Sequence, residues 1–119
     1  MGLLDRIQKI QTPESVITVE GIRYRVKGLS GFDASSMNPD AERENKKRKH
    51  LGLKRLSLDY FYLEHCVCEA ETGETLTAEQ WAGVPRKHTA PIVVEVMNLN
   101  GLDDEDVQRD PKDLGATAT

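Results

Sequence analysis

The chain has 119 residues, of which 38% are hydrophobic and 30% charged, with a net charge of −4. That length and hydrophobic share suit one domain with a modest core, and the acidic balance argues against uniform attraction to nucleic acid or anionic membrane. No apolar run is long enough to span a bilayer. The N-terminus carries no signal core, and Arg6 stands where a myristoylation motif wants serine or threonine.

In chain order, Leu3, Leu4, Ile7 and Ile10 recur at helical spacing and predict a short amphipathic helix or arm over 1–13, stopped at Thr12-Pro13. "SVITVEGIRYRV" reads as a β-hairpin over 15–27 turning at Glu20-Gly21. Val19 then faces Ile22 and Ile17 faces Tyr24. This puts Ile17, Val19, Ile22, Tyr24 and Val26 on one face. Glu-Gly is weaker turn chemistry than Asn-Gly, because a type I′ turn needs positive φ at both positions.

Residues 28–37 read as a loop with room for one helical turn after Ser30. Asn38 is a good N-cap and Pro39 a good first helical residue. The segment 38–50 is nearly devoid of apolar residues, which leaves a solvated helix or a disordered chain. Leu53, Leu56, Tyr60, Leu63 and Val67 then form an apolar stripe and predict the main core helix, ending near Ala70 or Gly73. "LTAEQWAG" predicts a small helix with Thr77 and Gln80 as a capping box, Leu76 and Trp81 as a hydrophobic staple, and Gly83 as the stop. Residues 91–99 fit strand by propensity and helix by spacing. Helix is the preferred reading, opened by Pro85 or Pro91 and closed by Gly101. A further short helix capped by Asp103 precedes Pro111 and a frayed tail, 111–119. The expected fold is α+β and mostly helical: one domain with a small N-terminal hairpin followed by a bundle of about four helices over 38–110.

Candidate chemistry is sparse. "MNLNGLDDEDV" has the composition of a calcium loop, but no register places ligands at positions 1, 3, 5 and 12 with glycine at 6. The plainer reading is that Gly101 closes one helix and Asp103 caps the next. "HCVC", His65 to Cys68, lacks a fourth zinc ligand at a meaningful spacing from His50 or His88. Cys66 and Cys68 read as packed thiols in a reducing compartment. No nucleophile turn and no phosphate-binding glycine pattern appear. No catalytic residue, metal or cofactor is expected.

The basic run Lys46, Lys47, Arg48, Lys49 is the nucleic-acid candidate, but it contains no aromatic for base stacking. A solvated helix face is its usual meaning. A third reading pairs it with the acidic stretch Asp103, Asp104, Glu105, Asp106. Such surfaces on different protomers attract head to tail and build a ring, spiral or filament.

From Ile17 onward the order of pieces resembles the tail assembly chaperones of long-tailed phages and prophages. A small strand pair is followed by the Gly-Leu-Ser step at 28–30, a charged segment and a leucine-rich helix. Then come the acidic turn Glu69 to Gly73, the capped helix Thr77 to Trp81, and the helix closing on Asn100-Gly101-Leu102. The likeness covers roughly residues 17–107. It implies a non-enzymatic protein of the host bacterial cytoplasm that binds the tape-measure protein and recruits tail-tube subunits. Such a protein self-associates and is absent from the mature particle. The alternatives are a phage neck or connector protein and, further off, a small nucleic-acid-binding protein.

Overall fold

The computed structural model describes residues 2–10 and 12–101. In order, the elements are α1 (Leu3–Gln8), β1 (Glu14–Val19), β2 (Ile22–Lys27), α2 (Gly31–His50), α3 (Leu58–Cys66), β3 (Val67–Glu69), α4 (Ala78–Ala82) and α5 (Arg86–Asn100). The fold is α+β and mostly helical, with the hairpin near the N-terminus. The expected helix at Asp103 and the tail beyond it lie outside the described residues.

The hairpin has the expected register, Val19 opposite Ile22 and Ile17 opposite Tyr24. Glu20 (φ 49°) and Gly21 (φ 82°) both take the positive φ that this connection needs. Val19, Tyr24 and Val26 are buried, whereas Ile22 at the tip stays exposed.

A third strand was not expected. α3 stops at Cys66, and Val67 turns to extended backbone. Val67–Glu69 pairs antiparallel with β2, Val26 opposite Val67. Three residues thereby cover a strand edge that would otherwise expose unpaired backbone groups. Glu69 N–H donates to the Glu74 carbonyl, and Gly73 N–H donates to the Glu69 carbonyl, both at 2.9 Å. Gly73 sits at φ 74°, so the acidic turn requires its glycine for the backbone.

The second correction concerns α2. The helix begins at Gly31, capped by the Ser30 hydroxyl accepting from Asp33 N–H, and runs unbroken to His50. Asn38 is therefore no cap, and Pro39 lies inside the helix. Burial decides this. Met37, Ala41, Asn45 and Arg48 are buried and follow one another at three- and four-residue steps, so only a continuous helix sets all four against the core. The core helix is also shorter than expected. Gly52 (φ 72°) ends any continuation from α2, Leu53 is exposed, and α3 buries Leu58, Phe61, Tyr62, Leu63 and Cys66 instead.

α4 carries the predicted capping box, with Gln80 N–H donating to Thr77 Oγ1 and Thr77 N–H donating to Gln80 Oε1. α5 is helical, with Gly101 left-handed at its end (φ 66°). Pro91 lies within it on the solvent side, so the Lys87 carbonyl that it leaves unpaired can meet water. One buried cluster joins the inner sheet face to α3, α4 and α5, and α2 packs against α3.

The loop after α2 is held by side-chain amides. Asn45 is buried, its Nδ2 donating to the Leu56 carbonyl at 2.9 Å and its Oδ1 accepting from Leu56 N–H at 2.8 Å. Asn45→Leu leaves both backbone groups of Leu56 buried and unpaired. It is expected to cost about 2–4 kcal/mol, read as a lowered midpoint in urea unfolding with an unchanged slope.

Candidate functional site: a junction and a basic groove

Two regions gather the residues singled out from the sequence. The first is a junction where the entry to β1 and the end of α5 meet the segment just before α2. Gly28 N–H donates to the Pro13 carbonyl at 2.8 Å. A Cβ on Gly28 would lie 3.0 Å from Pro13 Cγ and 3.4 Å from the Leu99 carbonyl, so this close approach favours glycine. Leu29 N–H donates to Asn100 Oδ1 at 2.8 Å, and Asn100 Nδ2 donates to the Val96 carbonyl at 2.9 Å. The Gly-Leu-Ser step and the Asn-Gly helix end are thus bonded directly. Leu102 lies outside the described residues.

The second region is the C-terminal end of α2. Lys46, Lys47 and Lys49 are exposed. Arg48 is not part of that surface. It is 6% exposed, its Nε donates to the Lys54 carbonyl at 2.6 Å, and its guanidinium lies 3.4 Å from Glu79. Four cationic or imidazole residues in the last turn complement the negative end of the helix dipole. Beside them lies a cavity of about 630 Å³ lined by Glu42, Asn45, Lys46, Lys49, His50 and Arg55. Arg55 pairs with Glu42 at 3.1 Å. Lys47 instead lines a separate groove with Phe61, Glu64 and Thr77. Asp103 to Asp106 lie outside the described residues.

Trp81 is buried, its ring 5.9 Å from that of Tyr24. The Tyr24 hydroxyl lies 2.6 Å from His88 Nε2, and His88 Nδ1 lies 3.2 Å from Glu20 Oε1. This chain ties the hairpin tip to α5. Sequence reading missed it, as it missed the pairing of buried Asp59 with Arg86 at 2.9 Å. No local pattern joins residues 27 to 68 positions apart.

Cys66 is buried on α3, and Cys68 is partly exposed on β3 directly opposite Arg25. Among the described residues, no group of three or more His, Cys, Asp or Glu side chains is placed to hold a metal ion. No described helix is long and apolar enough to cross a membrane. Several large apolar side chains are exposed: Leu3, Leu4, Ile7 and Ile10 on the N-terminal arm, Phe32 at 89%, and Leu51 and Leu53 after α2. No protein-family model, curated protein or solved structure matches the chain.

Burial pushes the Cys66 thiol up from 9.0 to about 11, against the opposing effects of Lys27 and the Asn100 amide. Burial, with Glu69 and Glu20, also raises Tyr24. The unfolded chain therefore releases these protons at lower pH than the folded one. Their contribution to stability is full below about pH 9 and falls as pH rises towards 11. Chemical unfolding measured across that window should show the decline, and Cys66→Ala should make it shallower. At neutral pH a thiol reagent should label Cys68 in the native protein, and Cys66 only on unfolding.

Proposed function

We propose that this chain is a tail assembly chaperone of a long-tailed phage or prophage. It binds the tape-measure protein in the host bacterial cytoplasm, recruits tail-tube subunits, and leaves before the particle matures. Its action is binding, without catalysis or cofactor. The observation that carries this reading is the ordered series of pieces from Ile17 to Leu102. Support comes from their arrangement in space, because the Gly-Leu-Ser step and the Asn-Gly helix end bond through Leu29 N–H and Asn100 Oδ1. The acidic turn also closes on Gly73.

Exposed apolar surface supports the same reading. Leu3, Leu4 and Ile7 stand on a six-residue helix none of whose residues is buried, with exposed Ile10 just beyond it, and Phe32 projects from the first turn of α2. Exposed apolar side chains gathered on a short arm suit a client rich in apolar helices, where the gain scales with the area covered.

Co-expression with fragments of a tape-measure protein tests this. The expected result is a larger soluble fraction of at least one fragment and its co-purification with the chain. Ile7→Ser with Phe32→Ser should lower that yield several-fold while leaving the unfolding midpoint within about 0.5 kcal/mol of wild type, as exposed substitutions do. Unchanged solubility across fragments tiling the whole client overturns the reading. Detection of the chain in purified virions by mass spectrometry would point to a neck or connector protein instead.

A further inference from the structure

We propose that the outer edge of β1 docks an extended segment of a partner protein, a short β-branched run with lysine or arginine at each end. The inference goes beyond the tape-measure reading and does not depend on it. β1 is the open side of the sheet, whose order is β1-β2-β3. The Glu20-Gly21 turn makes Val19 and Ile22 a hydrogen-bonded pair. Ile17 with Tyr24 and Ser15 with Val26 follow by alternation. Val16 and Thr18 therefore turn their backbone N–H and C=O groups away from β2. The same alternation aims the Arg23 backbone towards β3, and there its carbonyl accepts from Ala70 N–H at 2.9 Å. Among the described residues, the outward backbone groups of Val16 and Thr18 have no partner.

Folded chains commonly blunt such an edge with a lysine, a proline, a bulge or a very short strand. β3, on the opposite side of the sheet, has three residues. β1 has six, paired in unbroken register, and from Ser15 to Val19 it holds neither charge nor proline. Three of those five residues, Val16, Ile17 and Val19, are branched and apolar, and Thr18 is branched too, which favours extended backbone. Val16 is 47% exposed at mid-strand. The edge thus offers a ladder of free backbone groups beside an apolar side chain, which is what strand addition uses.

Charge selects the occupant. Glu14 and Glu20 bracket the edge, and their side chains remain 54% and 60% exposed beside Arg25 and His88. A second copy of this chain fits badly. Antiparallel pairing of two β1 strands at full overlap sets Glu14 opposite Glu20 at both ends, and parallel pairing sets like acids side by side. Like charges across a ladder destabilise it. A strand with a cation at each end and valine, isoleucine or threonine between them meets both acids and extends the sheet.

Hydrogen exchange of the full chain, read amide by amide with NMR, tests this using a capped synthetic peptide, Lys-Val-Thr-Val-Thr-Val-Lys. In the free chain Val16 and Thr18 N–H should exchange fast and Ile17 N–H slowly. The peptide should slow Val16 and Thr18 several-fold, with saturation. Glutamate in place of both lysines should weaken binding about tenfold. Thr18→Lys, a charge placed on the edge, should abolish the effect and leave the urea midpoint unchanged. Val16→Pro, which removes only an outward N–H, should also abolish it. Slow exchange of Val16 and Thr18 in the dilute free chain overturns the proposal. So does a peptide that leaves both amides unslowed at millimolar concentration, equal binding of the glutamate peptide, or protection that survives Thr18→Lys. Protection that rises with chain concentration alone gives the edge to a second copy and equally overturns it. Tape-measure solubilisation is read separately, so either idea can fail without the other.

Discussion

Two asparagine side chains fix α2 at its ends, and the placement of the remaining surface follows from them. Asn100 accepts from Leu29 N–H just before the helix cap, and Asn45 pairs with both backbone groups of Leu56 after the helix has turned back. α2 needs such fixing because it offers the core little apolar surface: along its twenty residues only Met37 and Ala41 are buried hydrophobics. Propensity alone does not hold a polar helix at a set angle. Amides that satisfy buried backbone groups do so with a definite geometry, because losing them leaves those groups unpaired.

The consequence is a rod with distinct ends. Its start is tied to the sheet exit, to Pro13 and to the close of α5. Its end carries the exposed lysines and the basic cavity.

Elements with strong local chemistry were legible in the sequence. Alternation set the hairpin register, Thr77 with Gln80 set α4, and Gly101 set the end of α5. The parts that escaped depend on partners far along the chain. β3 is three residues long, and Val67 continues the apolar stripe of a helix. Only the free edge of β2 makes it a strand. The true start of α2 was obscured because Asn38-Pro39 carries stronger local start signals than Ser30. Met37 and Ala41 stand four residues apart with Asn45 four further, a stripe whose last member is polar and so gives no apolar signal. Arg48 was counted as surface because it sits in a run of lysines. Only the loop at Lys54 and the acid at Glu79 show it facing inward.

The claim that α2 is pinned at both ends can be measured without any variant, by native-state hydrogen exchange of two backbone amides. Leu29 and Leu56 N–H should exchange with opening free energies close to that of global unfolding, because each donates to a side-chain amide built into the fold. Exchange of either amide at rates typical of open loops would contradict the pinned rod.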